Sequence, residues 1–268
     1  MVNELKNVTN IEELEEYLKY KAKNHKNFTF YAKKESVRKS IDNGIKLSNG
    51  VGWNDNDDKK RLSKDGKIRL VKSFTFSKSE NVAMWMLYTG LDNAGGMIKY
   101  NQSAITSLLS KLFDIEIYSK NGSTFRLNAS QFSIELIDIV YVGESKNNDP
   151  NIITLKRSDE TVEFDLSIFK NIIKINDMPY YAKEYGWSYE NECRLIISFY
   201  KELIENYDEK EEYYTILNVD NNKATVYRNP NCNDELNFST YPVKTMNSSY
   251  KGKIYWQLCQ NIKDCKSK

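Results

Sequence analysis

Two glutamates and an arginine at alternate positions are the residues of this sequence best suited to chemistry. Glu190, Glu192 and Arg194 lie in a segment, 189–200, whose other alternate positions are apolar. Period two predicts a strand with one buried face. Two carboxylates at i and i+2 of a strand point to one side, about 7 Å apart, and can act on one ligand in different roles. The alternative is the solvated outer face of a strand.

A second segment carries hydroxyl groups at the same period. Ser73, Thr75 and Ser77 share one face of a strand predicted over 69–77, with Phe74 and Phe76 on the other face. These hydroxyls could contact a ligand from the strand surface. The alternative is that they are ordinary half-exposed strand residues.

Three aromatic residues are candidates for stacking on a planar ligand. Trp85 and Tyr88 stand three apart on a helix predicted over 81–89, a spacing typical of core residues, although such rings can also stack on nicotinamide or adenine. Trp53 is the lone tryptophan of a polar segment, 49–66, that has no apolar periodicity. We predict a loop there, either flexible or closing over a ligand.

Composition excludes several classes of protein. The 268 residues include no Pro/Gly/Ser-rich linker, which favours one domain, and the net charge of +2 is far from that of a dedicated nucleic-acid-coating protein. The first residues lack a signal sequence, and no apolar run approaches the roughly 20 residues that span a bilayer. We therefore expect a cytoplasmic protein without membrane association. The Lys, Asn, Ile and Tyr bias suggests an AT-rich bacterial or phage genome.

The elements predicted around these residues are interspersed helices and strands without regular alternation, which indicates an α+β fold. No metal site is expected, because the four cysteines form no CxxC pair and His25 is the single histidine. His25 is interpreted as the end of the first helix, where the helix dipole favours it. The predicted helices cover 9–25, 35–43, 81–89, 103–113, 166–175 and part of 250–262; the predicted strands cover 27–32, 45–48, 69–77, 97–100, 126–127, 134–142, 161–164, 189–200, 214–219 and 224–227.

Taken in order, several short motifs resemble a large bacterial family of uncharacterised domains. The motifs of that family are a strand-ending Phe-Ser, a Met-Trp-x-x-Tyr helix, a Gly-led strand and a Lys-x-x-x-Trp-x-Tyr-Glu-x-Glu-x-Arg strand. An aromatic-Asn-Asp loop precedes them, although this chain has Asn56 where proline is usual. The matching residues span about 28–200: Trp53-Asn54-Asp55, Phe76-Ser77, Met84-Trp85 with Tyr88, Gly95-Gly96-Met97-Ile98, and Lys183 through Arg194.

That family in turn resembles a divergent branch of the ADP-ribosyltransferase superfamily, in its Arg-Ser-Glu clade. Residues 73–77 are similar to the clade's Ser-Thr-Ser strand, and residues 190–192 to its Glu-x-Glu. The first strand departs from the pattern, because it lacks arginine and leaves Tyr31 or Lys33 as the nearest candidates. The resemblance implies one domain over 1–268 with a split, mixed or antiparallel sheet surrounded by helices. Its core would span about 28–200, after a helical segment, 1–26, and before a C-terminal elaboration, 201–268.

The resemblance also implies roles for individual residues. Glu192 would hydrogen-bond the nicotinamide ribose of NAD⁺ and stabilise the oxocarbenium ion formed as nicotinamide leaves, and Glu190 would orient or deprotonate the acceptor. Glu192→Gln is expected to abolish transfer and leave the fold intact. NAD⁺ is thus a substrate, and no metal is implied. The remaining NAD⁺-binding candidates are Tyr31, Lys33, Trp53, Ser73, Thr75, Ser77, Trp85 and Tyr88.

The acceptor stays open at this point. RNA or DNA bases are slightly favoured over protein arginine, in a toxin or phage-defence effector with a cognate antitoxin or immunity protein. Lysine-rich stretches at 59–61 and 251–268 could meet phosphates, although such stretches are usually solvated. The alternatives are a catalytically inactive module that binds a nucleotide or partner, and an NAD⁺ glycohydrolase. A nuclease is disfavoured, because the sequence offers no metal-binding cluster around His25.

Overall fold

The computed structural model describes residues 4–53, 55–89, 95–110, 113–144, 149, 151–165, 167, 178–231 and 243–251. The helices predicted over 166–175 and 250–262 fall almost wholly outside these residues. Within them the chain combines five α-helices with fifteen strands, so the predicted α+β class is confirmed. No helix in the described ranges is both long and apolar enough to cross a bilayer.

The helices are short and lie mostly in the first half of the chain. Their bounds are α1 (Ile11–Lys23), α2 (Lys34–Asp42), α3 (Asn56–Leu62), α4 (Val82–Tyr88) and α5 (Gln102–Thr106). Single 3₁₀ turns occur at Leu5–Asn7, Lys64–Gly66, Ser107–Ser110, Tyr185–Glu190, Lys201–Leu203 and Asn221–Lys223.

Eleven strands form one large sheet, in the order β15-β14-β4-β1-β3-β2-β13-β5-β6, with β12 and β7 joined to it through β3. Only the β14–β15 pair among these is parallel. The strands of this sheet are β1 (Asn27–Ala32), β2 (Ile45–Ser48), β3 (Lys67–Thr75), β4 (Gly96–Asn101), β5 (Ile115–Ser119), β6 (Thr124–Leu127), β7 (Phe132–Asp138), β12 (Glu192–Tyr200), β13 (Tyr213–Leu217), β14 (Ala224–Arg228) and β15 (Lys244–Asn247).

A second sheet of four strands has the order β10-β9-β8-β11. It contains β8 (Val140–Glu144), β9 (Ile152–Arg157), β10 (Glu160–Asp165) and β11 (Ala182–Glu184), with β11 parallel to β8. Residue 139 separates β7 from β8, so the single strand predicted over 134–142 is wrong. The chain passes from the large sheet to the small one at this point.

Strands β3 and β12 pair antiparallel along their full length and lie between two apolar layers. One layer contains Leu195, Ile197 and Phe199 of β12. The other contains Ile196 with residues of α1 and the small sheet. β12 is therefore buried on both faces, which corrects the prediction of one buried face and one open face.

Local capping explains most of the helix starts. Capping-box patterns at 9–12 and 77–80 predict caps at Thr9 and Ser77. Instead, Asn10 caps α1 by accepting a hydrogen bond from the Glu13 amide, and Asn81 caps α4. Both corrections shift a boundary and leave the predicted helix in place.

The polar segment 49–66 is where the predicted elements fail most clearly. It contains α3, capped by the Asp55 carboxylate, which accepts hydrogen bonds from the Asp57 and Asp58 amides. Its buried residues are Asp58, Arg61 and Leu62, at helical spacing i, i+3 and i+4. Because two of the three are charged, the helix has no apolar period for a sequence pattern to detect.

Candidate functional site

The glutamate pair lies at a sharp change of backbone direction. Glu190 ends the 3₁₀ helix, Asn191 adopts left-handed φ and ψ of 44° and 58°, and Glu192 begins β12. The Asn191 side chain donates to Ser77 Oγ at 3.1 Å, and the Phe76 amide donates to the Asn191 carbonyl at 3.1 Å. The end of β3 therefore fixes the turn, and the two glutamates converge without sharing a strand face.

Both glutamates meet the ammonium group of Lys183, which lies on β11. Lys183 Nζ is 2.7 Å from Glu192 Oε2 and 3.0 Å from Glu190 Oε2. It is also 3.7 Å from Asp58 Oδ2 on α3. We call Asp58, Lys183, Glu190, Glu192 and Arg194 the carboxylate cluster.

Arg194 joins the other side of this cluster. Its Nη1 and Nη2 donate to the two Asp58 carboxylate oxygens at 2.9 and 2.6 Å. Its Nε donates to Glu192 Oε1 at 2.7 Å, and Nη1 also donates to the Tyr180 carbonyl at 2.8 Å. Such bidentate, charge-assisted contacts are the strong form of the ion pair. They tie α3 to β12.

Two hydroxyl groups complete the contacts of the glutamates. Ser73 Oγ donates to Glu192 Oε1 at 2.5 Å, and the Tyr88 hydroxyl is 2.5 Å from Glu190 Oε1. Ser73 lies on β3 opposite Arg194, and Thr75 lies opposite Glu192. Tyr88 is 38% exposed, so the Glu190 side of the cluster is the side that borders solvent.

All five members of the cluster are buried, and the glutamates retain only 5% and 3% exposure for Glu190 and Glu192. The solvated outer face considered for the Glu-x-Glu pattern is therefore wrong. Buried carboxylates are tolerated when cations and hydrogen-bond donors surround them. A site of this kind can hold two carboxylates in different protonation states.

The pKa values of the two glutamates move in opposite directions. Burial raises the pKa of Glu190, and Glu192 raises it further, against the lowering effect of Lys183. Burial would also raise the pKa of Glu192, but Arg194 and Lys183 outweigh it and hold the pKa well below its usual range. Burial lowers the pKa of Lys183, yet the surrounding carboxylates give it a net rise. Glu192 is thus a fixed anion and Glu190 is the titratable partner.

The remaining hydroxyl candidates serve the turn. Thr75 is buried, and its hydroxyl donates to Ser77 Oγ at 3.1 Å. Ser77 lies just beyond the end of β3 and accepts from the Asn191 amide group. Both residues position the glutamates, while Ser73 contacts one of them directly.

The aromatic candidates divide between core and site. Trp85 is fully buried and packs edge-on against Tyr31 with 4.9 Å between ring centroids, while its Nε1 donates to Glu80. The Tyr31 hydroxyl accepts from the Asn81 amide at 2.9 Å. Both rings belong to the packing that holds α4, which favours the core interpretation of these residues. Tyr88, on the same helix, is the aromatic that reaches a glutamate.

Other candidates make no described contact with the carboxylate cluster. Trp53 is half-buried and packs on the core beside Gly50 and Leu62. Lys33 is exposed at the start of α2, with no described contact to the cluster. Arg61, in the stretch expected to meet phosphates, is buried and donates to the Ala182 carbonyl at 2.9 Å. That expectation is wrong for Arg61.

Sequence reasoning missed Asp58 and Tyr141 and gave Lys183 no role of its own. Asp58 is 136 positions from Arg194, so only the folded chain brings the two together. The Tyr141 hydroxyl accepts from the Glu192 amide at 2.8 Å. The sequence signal for Asp58 is a helix cap at Asp55 followed by Asp58, Arg61 and Leu62 at helical spacing.

A second buried group of charges lies on the other face of β12. Asp138 Oδ1 is 2.7 Å from His25 Nε2, and Asp138 Oδ2 accepts from Arg157 Nε at 2.8 Å. Ligand atoms of His25, Asp138 and Cys193 lie within 4.8 Å of one another. The isolated His25 expected from sequence is therefore wrong. We call His25, Asp138, Arg157 and Cys193 the Asp138 cluster; both oxygens of its carboxylate are already engaged by protein groups.

Part of the chain matches one family of known proteins. Residues 84–195 match the family described as "Protein of unknown function (DUF2971)". The matched range contains Tyr88, Lys183, Glu190, Glu192 and Arg194, while Asp58 and Ser73 lie outside it. No curated protein and no solved structure matches the chain.

Proposed function

We propose that this chain is an NAD⁺-consuming enzyme that transfers ADP-ribose, with the Glu190–Glu192 pair as its catalytic carboxylates. The observation that supports this most is the convergence of both glutamates on Lys183 with their pKa values moved in opposite directions. A fixed anion and a titratable carboxylate are the two roles that transfer of a glycosyl group requires.

In the proposed reaction, the bond between the nicotinamide nitrogen and ribose C1′ breaks, and its electron pair leaves with nicotinamide. The Glu192 carboxylate stabilises the oxocarbenium ion that remains. Glu190 takes the proton from the acceptor as its nucleophilic atom bonds to C1′. A ribose hydroxyl would contact Glu192 by displacing Ser73, the neutral donor among its side-chain partners, because charge-assisted bonds are stronger.

The arrangement of β3 and β12 supports the same proposal. The strand with the Ser-Thr-Ser pattern pairs directly with the strand that Glu192 begins, and Ser73 donates to Glu192. The sequence resemblance predicted that these two motifs belong to one site.

The proposed acceptor is a macromolecule, with an RNA or DNA base ahead of a protein arginine. The 3₁₀ helix that leads to Glu190 carries Tyr185, Trp187 and Tyr189, of which Tyr185 is 41% exposed. Lys156 Nζ lies 5.3 Å from the Tyr185 ring centroid. Aromatic faces beside a cation suit a stacked base with its phosphate. A toxin or phage-defence effector with a cognate antitoxin fits such an acceptor.

The direct test incubates the purified protein with NAD⁺ carrying a label in its adenosine half and supplies RNA, DNA and cell-extract protein. Free nicotinamide and labelled macromolecules are measured. We expect nicotinamide release together with label on one class of acceptor; free ADP-ribose alone would assign glycohydrolase activity. Folded protein that gives neither product refutes the proposal.

Glu190→Gln is the more informative variant. It should lower nicotinamide release by at least about 100-fold, the usual range for loss of a general base. Glu184→Gln, the same change at an exposed carboxylate of β11, is the matched control and should retain activity. Glu192→Gln should also inactivate, but its carboxylate balances Arg194 and Lys183, so we now expect it to destabilise the fold as well.

A binding module without catalysis is the second candidate. The observation in its favour is that both Glu192 oxygens are already bonded to Ser73, Lys183 and Arg194. It predicts that NAD⁺ raises the melting temperature and that no nicotinamide appears. Nicotinamide release that Glu190→Gln abolishes excludes it.

A further inference from the structure

The carboxylate cluster has one more negative group than positive groups. Asp58, Glu190 and Glu192 supply three carboxylates, against the two cations Lys183 and Arg194. Arg194 directs its donors to Asp58, Glu192 and the Tyr180 carbonyl. Lys183 is closer to Glu192 than to Glu190. Glu190 is therefore the carboxylate without a cation of its own.

A buried carboxylate in that position is stabilised by carrying a proton. The groups facing Glu190 are Lys183 from β11, Glu192 from β12 and the Tyr88 phenol from α4. Lys183 donates to Oε2, which leaves Oε1 for the proton. Oε1 accepts from the Tyr88 hydroxyl when Glu190 is ionised, and it donates to that hydroxyl when Glu190 carries the proton. Tyr141 of β8 and Tyr189 are further titratable neighbours, and burial raises the pKa of both phenols, with Glu190 adding to the rise.

The surroundings of Glu190 Oε1 are aromatic and border solvent. Tyr88 is 38% exposed, and Tyr189 is half-buried next to Glu190 in the chain. The Trp187 ring centroid lies 5.5 Å from Lys183 Nζ and 6.3 Å from the Tyr189 ring centroid, so these rings line the same side of the cluster. A carboxylate among aromatic faces suits a cation that is itself a flat ring, since the ring faces attract positive charge and the carboxylate neutralises it.

We propose that the Tyr88–Glu190 side of the cluster binds a positively charged aromatic ring and releases one proton from Glu190 as it does so. The incoming positive charge replaces the proton and leaves the cluster neutral. This inference rests on the proposed function, since the nicotinamide ring of NAD⁺ is such a cation. It adds that binding is linked to protonation of Glu190 and selects for the charge of the ring.

The test uses two small probes of nearly one shape. 1-Methylnicotinamide carries the positive ring, and nicotinamide is its neutral counterpart. Each is titrated into the full chain by calorimetry in two buffers of different ionisation enthalpy, which gives the number of protons released. We expect preferential binding of 1-methylnicotinamide with release of up to one proton. Its affinity should rise by about tenfold per pH unit while Glu190 is mostly protonated.

Variants assign the proton to its residue. Glu190→Gln keeps the shape of the side chain and cannot ionise, so it should lose both the preference for the cation and the proton release. Glu184→Gln should keep both. Proton release that persists in Glu190→Gln would overturn the assignment.

The outcomes also separate this inference from the proposed function. Three outcomes overturn the inference, even if NAD⁺ is cleaved. The two probes bind equally, or 1-methylnicotinamide binds and releases no proton throughout the range from about pH 5 to 8, or neither probe binds. Conversely, proton-linked binding of 1-methylnicotinamide by a protein that never cleaves NAD⁺ supports the inference and refutes the enzyme.

Discussion

Two buried groups of charges flank the first residues of β12 on its opposite faces. On one face, Glu192 and Arg194 belong to the carboxylate cluster. On the other, Cys193 lies beside Asp138, which binds His25 and Arg157. The Asp138 cluster continues to Glu160, which Arg157 and Lys21 contact at 3.3 and 3.5 Å. Its two carboxylates, Asp138 and Glu160, face the cations Arg157 and Lys21 and the His25 imidazole, whereas the carboxylate cluster has three carboxylates and two cations.

Under the proposed function, the difference separates structural charge from reactive charge. The Asp138 cluster connects α1, β7 and the small sheet, and both oxygens of the Asp138 carboxylate are engaged by protein groups. The carboxylate cluster also connects elements, but its odd member lies beside the exposed Tyr88. Burial alone therefore does not identify the site. The unmatched charge and its access to solvent do.

The largest effect on stability should come from removing Arg194, the cation that Asp58 and Glu192 share. Arg194→Met leaves Asp58 and Glu192 buried with Lys183 alone, and we expect a loss of about 3–5 kcal/mol in the free energy of unfolding. Urea denaturation measures it. Lys60→Met, which breaks an exposed pair with Asp57, is the matched control and should change stability by less than about 0.5 kcal/mol. A loss below about 1 kcal/mol for Arg194→Met would mean that the cluster does not hold α3 to β12.

A smaller loss should follow from opening the Asp138 cluster. Asp138→Asn weakens the acceptor of Arg157 and His25, and we expect about 2–3 kcal/mol of destabilisation. The effect is smaller because Arg157 keeps Glu160 and because His25 is partly exposed. Asp114→Asn, at an exposed pair with Arg126, is the control. Nicotinamide release per folded molecule should change far less than in Glu190→Gln; an equal loss would make the second cluster part of the site.

How much the sequence predicts can be judged from the same two clusters. β1 and β2 follow the predicted bounds because alternating aromatic or aliphatic residues and a glycine with φ of 107° at Gly44 define them locally. The Ser73 and Glu192 strands were found from residue types that alternate along the sequence, although β12 proves to be buried on both faces. These features depend on neighbours along the sequence.

The parts that failed depend on distant or charged partners. α3 escaped detection because its buried face consists largely of Asp58 and Arg61, whose partners lie on β11 and β12. The pairing of His25 with Asp138 joins residues 113 positions apart. The turn at Asn191 depends on Ser77, so the predicted strand was carried too far back, to residue 189. No periodicity encodes such contacts.

Replacing Glu190, the carboxylate without a cation of its own, tests the difference between the two clusters more directly. Glu190→Gln removes an unmatched buried carboxylate, so we expect stability at neutral pH to stay the same or rise, by less than about 1 kcal/mol, while catalysis is lost. Thermal and urea unfolding of the variant and of Glu184→Gln measure it. A destabilisation of 2 kcal/mol or more, about the cost of breaking a needed buried pair, would show that Glu190 is structural, like Asp138.

The smallest effect is on the pH dependence of stability, where we expect the curves of the wild type and Glu190→Gln to cross. The folded pKa of Glu190 is raised above 4.5, so its contribution to stability is fully present below about pH 4.5 and is lost as pH rises through the folded pKa. Glu192 has the opposite sign: its contribution is present above about pH 4.5 and is lost on acidification. Glu190→Gln should therefore be the less stable protein in acid and at least as stable near neutrality, whereas Glu184→Gln should run parallel to the wild type. Urea unfolding at a series of pH values decides it. If the curve of Glu190→Gln is parallel to that of the wild type, Glu190 carries the same charge in the folded and unfolded chain. The distinction between the two clusters would then rest on solvent access alone.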